Sequence, residues 1–247
     1  MILHMIETGG PGGAEQMLLR LAEAYRQRGF SQMVCLRKDG WLAGEVRRRG
    51  LTLEIVRLGK LPDISGVKAI WEVVRKHGVT AIHAHEFAMN VRGAMVGVLK
   101  GIPVAATVHS KGYFGDKWVR RQAYRFASRC ARIVAVTEDV RQHLISKGGL
   151  KSDRLSMIPN GIDAERFQFN EEKRREFREK FGVRKDQLLL GTVGSYYQVK
   201  GHYFLIEAMK RLVAANKSLK LVMAGQGPLA EPLQRQAKEK IGRASFR

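Results

Sequence analysis

Short β-branched apolar runs alternate along the chain with stretches in which apolar residues return every three or four positions. Strand-like Ile2–Ile6 is followed by Met17, Leu18, Leu21 and Tyr25 at helical spacing, which predicts a helix from about Ala14 to Arg28. Further strands are predicted at Gln32–Leu36, Leu53–Val56, Thr80–Ala84, Val104–Val108, Arg132–Val136 and Leu155–Ile158. Helices fit between them at Val67–His77, Ala88–Leu99, Lys117–Ser128 and Glu138–Lys147. An alternation of this kind buries a mainly parallel sheet beneath helices on both faces. The fold class is therefore α/β, with a Rossmann-like parallel sheet.

A charged helical segment, Glu171–Phe181, follows, and the pattern then begins again. Leu188–Val193 and Leu219–Ala224 read as strands, Tyr203–Ala214 and Leu229–Lys240 as helices. The restart places a domain boundary near Asp186, giving domains 1–185 and 186–247. The second stretch suffices for β-α-β-α, the first part of a second Rossmann-like domain, and so short a sheet has exposed edges and little burial. An incomplete second domain of low stability is expected.

Composition narrows the class. Of 247 residues, 45% are hydrophobic, enough to bury a core and to exclude disorder over most of the length. The cysteines, Cys35 and Cys130, are far apart, which argues against a disulfide framework or a cysteine-rich zinc site and fits a reducing compartment. Apolar runs such as Ala94–Leu99 stop well short of the roughly 18 residues a membrane span needs. The N-terminus turns into a glycine loop without the features of a signal peptide, so a cytoplasmic protein is expected. Charge is the largest departure from the ordinary: 44 Lys+Arg against 23 Asp+Glu leaves +21, spread along the whole chain. That balance favours an anionic partner by long-range attraction, whether a phospholipid surface, a nucleic acid or a phosphorylated substrate, although a basic surface can also simply be solvated.

Candidate chemistry gathers at strand ends. Gly9-Gly10-Pro11-Gly12-Gly13-Ala14-Glu15 lies between the first strand and the first helix, where glycine lets a ligand approach the backbone and free N–H groups favour phosphate. Its spacing is neither G-x-G-x-x-G nor that of a P-loop, and a tight structural turn is the alternative. His83 and His85 stand two apart on one face of a strand. No Asp, Glu or Cys nearby completes a metal set with them, so they are expected to line a crevice at the carboxyl edge of the sheet. His109 ends the next strand, ahead of Ser110-Lys111-Gly112, and is either structural or functional. Later, Gly194-Ser195-Tyr196-Tyr197-Gln198-Val199-Lys200-Gly201 joins a strand to a helix, with Lys200 at the helix start suited to a phosphate. Gly225-Gln226-Gly227-Pro228 repeats that arrangement after the next strand.

Together these segments resemble the retaining glycosyltransferases of family four, with their GT-B fold of two Rossmann-like domains. The resemblance rests on Pro11-Gly12-Gly13-Ala14-Glu15, on His83-Ala84-His85 and His109, and on the stretch from Ala131 to Glu138. It continues through Ile158-Pro159-Asn160-Gly161-Ile162-Asp163 with Phe167, Lys200-Gly201-His202 and Ala224-Gly225-Gln226-Gly227-Pro228-Leu229, in family order over nearly the whole chain. It implies transfer of a sugar from a nucleotide-diphosphate donor to an acceptor hydroxyl with retention, in cell-envelope polysaccharide or lipopolysaccharide biosynthesis. Catalysis would consist chiefly of stabilising developing phosphate charge. By the same resemblance the Gly13 backbone and Lys200 hold the diphosphate, Gly12 and Ser195 belong to the donor-binding set, and the loop of Gly225 and Gly227 lies near the base. His109 is the catalytic contact to the donor sugar, and no metal or other cofactor is required.

Two departures bear on activity. Ser195 stands where many members carry an arginine for the diphosphate, and the family's acidic E-x7-E segment is not reached before Arg247. The resemblance therefore implies a chain truncated in its C-terminal domain, with weak donor binding and impaired turnover. Expected partners are a nucleotide sugar, a glycan or glycolipid acceptor and an anionic membrane surface. For the last, Tyr113, Phe114 and Trp118 beside Lys111, Lys117, Arg120 and Arg121 could enter the interface, giving a peripheral location on the inner face of the membrane. The alternatives are a non-catalytic nucleotide-sugar or polyanion-binding fragment and, lacking any helix-turn-helix, RNA-binding sheet or zinc finger, a charge-driven nucleic-acid binder, which is not expected.

Overall fold

A strand that offers apolar side chains to both faces must be covered on both, and the first strand, β1 (Ile2–Ile6), is of this kind. Leu3 and Met5 face one core, and Ile6 another. The computed structural model describes residues 1–111, 118–215, 218–242 and 244–246, the last three by backbone alone. The chain divides into two units, Met1–Ile162 and Asp163–Arg247.

The first unit is a seven-stranded parallel sheet in the order β3-β2-β1-β4-β5-β6-β7. Its strands are β1, β2 (Gln32–Leu36), β3 (Thr52–Ile55), β4 (Ala81–His85), β5 (Val104–Val108), β6 (Arg132–Ala135) and β7 (Leu155–Met157). The helices are α1 (Gly13–Gln27), α2 (Trp41–Arg48), α3 (Ile64–Lys76), α4 (Phe87–Lys100), α5 (Trp118–Cys130) and α6 (Glu138–Ser146). Leu18 and Leu19 of α1 and Leu42, Ala43 and Val46 of α2 cover Ile6, Val34 and Leu36 on one face. The core of the other face takes in α3 and α4, with Ile70, Val74, Met89 and Val96 among its residues.

The predicted strands and helices are all present, with ends shifted by at most three residues. One helix, α2, was not foreseen. Asp63 caps α3 by accepting from the Gly66 N–H at 2.9 Å, and Thr137 caps α6 through the Val140 N–H at 3.1 Å. Buried Arg92 on α4 donates to Asp63 Oδ2 at 2.9 Å and to the Gly59 carbonyl at 2.7 Å, which ties α4 to the start of α3. Gly97 brings α4 close to the sheet: a Cβ there would lie 2.2 Å from Val104 Cγ2. The predicted start of α5 at Lys117 falls outside the described residues.

The second unit holds α7 (Glu171–Lys180), β8 (Leu188–Val193), α8 (His202–Ala215), β9 (Leu219–Ala224), α9 (Ala230–Lys240) and β10 (Ala244–Phe246). The three strands are parallel in the order β10-β9-β8. Two differences from the sequence reading appear. A third strand, β10, extends β-α-β-α to β-α-β-α-β. Residues 163–185, which the sequence reading gave to the first domain, also cluster with the second unit. Arg178 on α7 donates to the Arg184 and Gln187 carbonyls, and Lys220 on β9 reaches the Phe181 carbonyl, so α7 is held to its own sheet. Ile206, Met209, Leu221, Met223, Leu233 and Ala237 form the core. Among the described residues, no helix is long and apolar enough to cross a membrane.

Candidate functional site

In the first unit the strand order reverses between β1 and β4. Open α/β sheets bind ligands beyond the carboxyl ends of strands at such a reversal. Parallel register sets His4 beside His83, and His85 beside Thr107. Because side chains alternate between faces, His4, His83, His85 and Thr107 share one face, and His109 follows the end of β5. Their rings form a continuous ladder, with centroids 5.6 Å apart from His4 to His83, 4.3 Å from His83 to His85 and 5.3 Å from His85 to His109. Tyr25 of α1 stacks on His4 at 5.8 Å. His4 Nε2 meets Gln32 Oε1 at 3.1 Å, His83 Nε2 meets Thr107 Oγ1 at 2.8 Å, and His85 Nδ1 meets His109 Nε2 at 3.0 Å.

Burial sets the protonation of the ladder. It pulls the imidazole of His4 down to about 4, against a weaker opposing pull from Gln32, and that of His109 to about 4. Burial, with repulsion from His4 and His109, pulls His83 to about 3, and burial first also holds His85 well below the usual value. At neutral pH all four rings are uncharged, so His109 offers hydrogen bonds and no charge.

The glycine segment after β1 is anchored from β4. Glu86, which precedes α4, has the positive φ of 68° that side chains rarely adopt. Its carboxylate accepts from the Glu7 N–H at 3.2 Å, the Thr8 N–H at 3.1 Å and the Thr8 hydroxyl at 3.0 Å. Burial raises the pKa of this carboxyl despite those donors. Gly12 stands at the N-cap of α1 with no side-chain cap, and buried Glu15 folds back against it, so that a Cβ on Gly12 would collide with the Glu15 carboxylate. Gly13 opens the helix with no atom within 4 Å of where its Cβ would be. The first turn of α1 thus leaves open space at Gly13, while the Glu15 carboxylate occupies the Gly12 side of the same turn.

In the second unit the turns after β8 and β9 leave side by side, since Val193 pairs with Ala224. They are laced together: Gly194 N–H to the Ala224 carbonyl at 2.9 Å, Tyr196 N–H to the Gln226 carbonyl at 2.8 Å, and Leu229 N–H to the Tyr196 carbonyl at 3.1 Å. A Cβ on Gly225 would meet the Gly194 carbonyl oxygen at 1.9 Å, and Gly227 has φ 153° against the backbone of Tyr196. Both glycines are required by this contact between turns. Ser195 is exposed at its crest, and exposed Lys200 ends a 3-10 turn (Gln198–Lys200), one residue before Gly201 at φ 68° and two before α8. Lys200 therefore precedes the helix where the sequence reading had it start one. A concavity of about 520 Å³, lined by Phe169, Lys173, Phe177 and Leu188 among others, contains none of these residues.

The structure brings His83, His85 and His109 into one cluster, and Gly194–Lys200 and Gly225–Gly227 into another. Sequence reasoning missed His4, which supplies the neighbour that His83 and His85 lacked, and Glu86, whose backbone strain has no sequence signature. Gly112, Tyr113, Phe114 and Lys117 lie outside the described residues. Of the residues named for a membrane interface, Trp118 is exposed at the start of α5, while Lys111 pairs with Asp139 at 2.5 Å.

Residues 11–166 match the model of Glycosyltransferase Family 4, and residues 173–246 match that of Glycosyl transferases group 1. EpsF of Bacillus subtilis (strain 168), named as a glycosyltransferase, is 25% identical over 252 residues, covering 96% of this chain and 65% of EpsF. TuaC of the same organism, named as a glycosyltransferase of teichuronic acid biosynthesis, is 34% identical over 165 residues, 62% of this chain and 39% of TuaC. The chain thus spans less than two thirds of these relatives. The crystal structure of Anabaena Alr3699/HepE in complex with UDP-glucose superposes with a TM-score of 0.83 at 20% identity, over 100% of this chain and 68% of that one. This likeness establishes the α/β fold over both units.

Proposed function

Because the chain belongs to glycosyltransferase family 4, we propose that it serves transfer of a sugar from a nucleotide-diphosphate donor to an acceptor hydroxyl, with retention, in envelope polysaccharide assembly. The observation that carries this reading is the pair of interlocked glycine turns at the carboxyl ends of β8 and β9, with Lys200 at their edge. Turns locked together that closely hold exposed Ser195 and Lys200 at one sheet edge, and the Lys200 ammonium supplies a full charge for a diphosphate. The names of the relatives point the same way: one solved neighbour holds UDP-glucose, and TuaC is named for an envelope polymer.

In the reaction, the bond between the anomeric carbon and the phosphate oxygen breaks and a bond to the acceptor oxygen forms on the same face. The acceptor proton leaves to the departing phosphate or to water. Lys200 opposes the charge that grows on the diphosphate. The α1 N-terminus at Gly13 adds backbone N–H donors. Ser195 contributes a hydroxyl. Neutral His109 contacts the donor sugar through a ring nitrogen, Nδ1, that is buried with no hydrogen-bond partner among the described residues. The chemistry calls for no cofactor beyond the activated donor.

Calorimetric titration with UDP, GDP and their sugars tests the reading. Saturable binding by one nucleotide diphosphate, weakened about tenfold or more in Lys200→Ala, is the expected result. Binding of none of them, or binding indifferent to Lys200, would overturn it. For an acceptor carried on a lipid, the net charge of +21 and exposed Trp118 and Val119 support docking on an anionic membrane surface. Sedimentation with anionic vesicles at low but not high salt is then expected.

A further inference from the structure

The histidine ladder carries a feature that sugar transfer does not use. One ring nitrogen from each of His4, His83 and His85 lies within 4.8 Å of the other two. One nitrogen of each ring is also hydrogen-bonded, His4 Nε2 to Gln32, His83 Nε2 to Thr107 and His85 Nδ1 to His109. An amide oxygen only accepts, so His4 Nε2 carries the proton and its Nδ1 presents a lone pair. Among the described residues that Nδ1 and His85 Nε2 are both fully buried with no hydrogen-bond partner, on residues 0% and 1% exposed. Two orphaned buried nitrogens are costly unless something satisfies them.

We propose that His4, His83 and His85 bind a divalent transition-metal ion of the zinc class. Three imidazoles suit zinc, copper, nickel or cobalt and are a poor set for magnesium or calcium, which prefer oxygen. These partners act as outer-shell groups do at metal sites: Gln32 fixes the tautomer of His4, and Thr107 and His109 hold the rings of His83 and His85 in place. A tetrahedral zinc with Zn–N of about 2.0–2.1 Å sets its ligands roughly 3.4 Å apart, so small ring rotations close the trio around the ion. The fourth position is left for water or for a ligand that approaches the carboxyl edge of the sheet. All three ligands are neutral at pH 7, so binding need not displace a proton from a charged ring. The inference stands apart from the proposed reaction, which requires no metal.

The test uses the whole chain, stripped with a chelator and titrated with Co²⁺ as a visible probe. One ion per chain is expected, with the intense d–d absorption of a low-coordinate site, displaced by Zn²⁺ and unaffected by excess Mg²⁺. His85→Ala should abolish the band, Thr107→Val should weaken binding about 10- to 100-fold, and the double variant His77→Ala/His143→Ala should keep full stoichiometry. Should His85→Ala fail to fold, as judged by circular dichroism, His83→Gln at the half-buried position decides instead. Absence of the band in the wild-type chain, or a band that survives His85→Ala or His83→Gln, would overturn the proposal.

Discussion

Lowering the pH from 7.5 to 5.5 should destabilise the first unit in proportion to the number of ladder histidines. In the unfolded chain each imidazole takes up a proton near its ordinary value of 6.5, whereas in the fold burial holds His4 at about 4, His83 at about 3 and His109 at about 4. The unfolded state therefore binds more protons throughout this range, so stability rises with pH and is lost as pH falls below 6.5. Each group contributes about 1.4 kcal/mol of loss by pH 5.5, so these three cost about 4 kcal/mol, and His85 acts in the same direction. Buried Glu86, whose pKa is raised, works weakly the other way. Against a typical domain stability of 5–15 kcal/mol and a urea slope of about 1–3 kcal/mol/M, the midpoint should fall by about 2 M. All three tryptophans, Trp41, Trp71 and Trp118, lie in the first unit, so tryptophan fluorescence during urea titration reports on it selectively. His83→Gln should remove about 1.4 kcal/mol of the pH dependence. A loss below about 1.5 kcal/mol in the wild-type chain, or one unchanged by His83→Gln, would refute the claim that the ladder is buried and neutral.

Other expectations concern single contacts. Asp63→Ala should cost about 3–5 kcal/mol by urea denaturation, because it strands the buried Arg92 guanidinium and uncaps α3; a loss under 1 kcal/mol would mean water reaches that pair. Its acid dependence is separate from the ladder's. Hydrogen bonds from Gly66 and Ser65, with smaller help from Arg92, hold Asp63 at about 2, so its contribution is complete above about pH 4 and fades as pH falls toward 2. Gly97→Ala should cost about 1–3 kcal/mol through its collision with Val104, while Gly13→Ala, with open space around it, should leave the melting temperature nearly unchanged and weaken nucleotide diphosphate binding. Gly225→Ala should destabilise the second unit, measured by hydrogen exchange in β8 and β9, since it meets the Gly194 carbonyl.

Much of the architecture was legible because helix and strand periodicities are local. The predicted bounds of β1, β2, β5, β8 and β9 coincide with the observed ones. The helix α2 escaped because two turns carrying Leu42, Ala43 and Val46 give too short a window for periodicity to declare itself. The strand β10 has three residues and no distinguishing pattern. The attachment of residues 163–185 to the second unit depends on carbonyls of a loop meeting Arg178 and Lys220, and such contacts leave no trace in hydropathy.

The candidate sites divide in the same way. Glycine turns, His83-Ala84-His85 on one strand face and His109 at a strand end are properties of neighbouring residues, so the sequence alone determined that these groups exist and which way they point. Which of them meet was decided by strand order and register. Placing β1 beside β4 sets His4 against a residue 79 positions away and lets Glu86 reach back to Thr8. Pairing between strands depends on how two sheet faces bury their apolar side chains at once, a condition on the whole unit that no short window of residues contains.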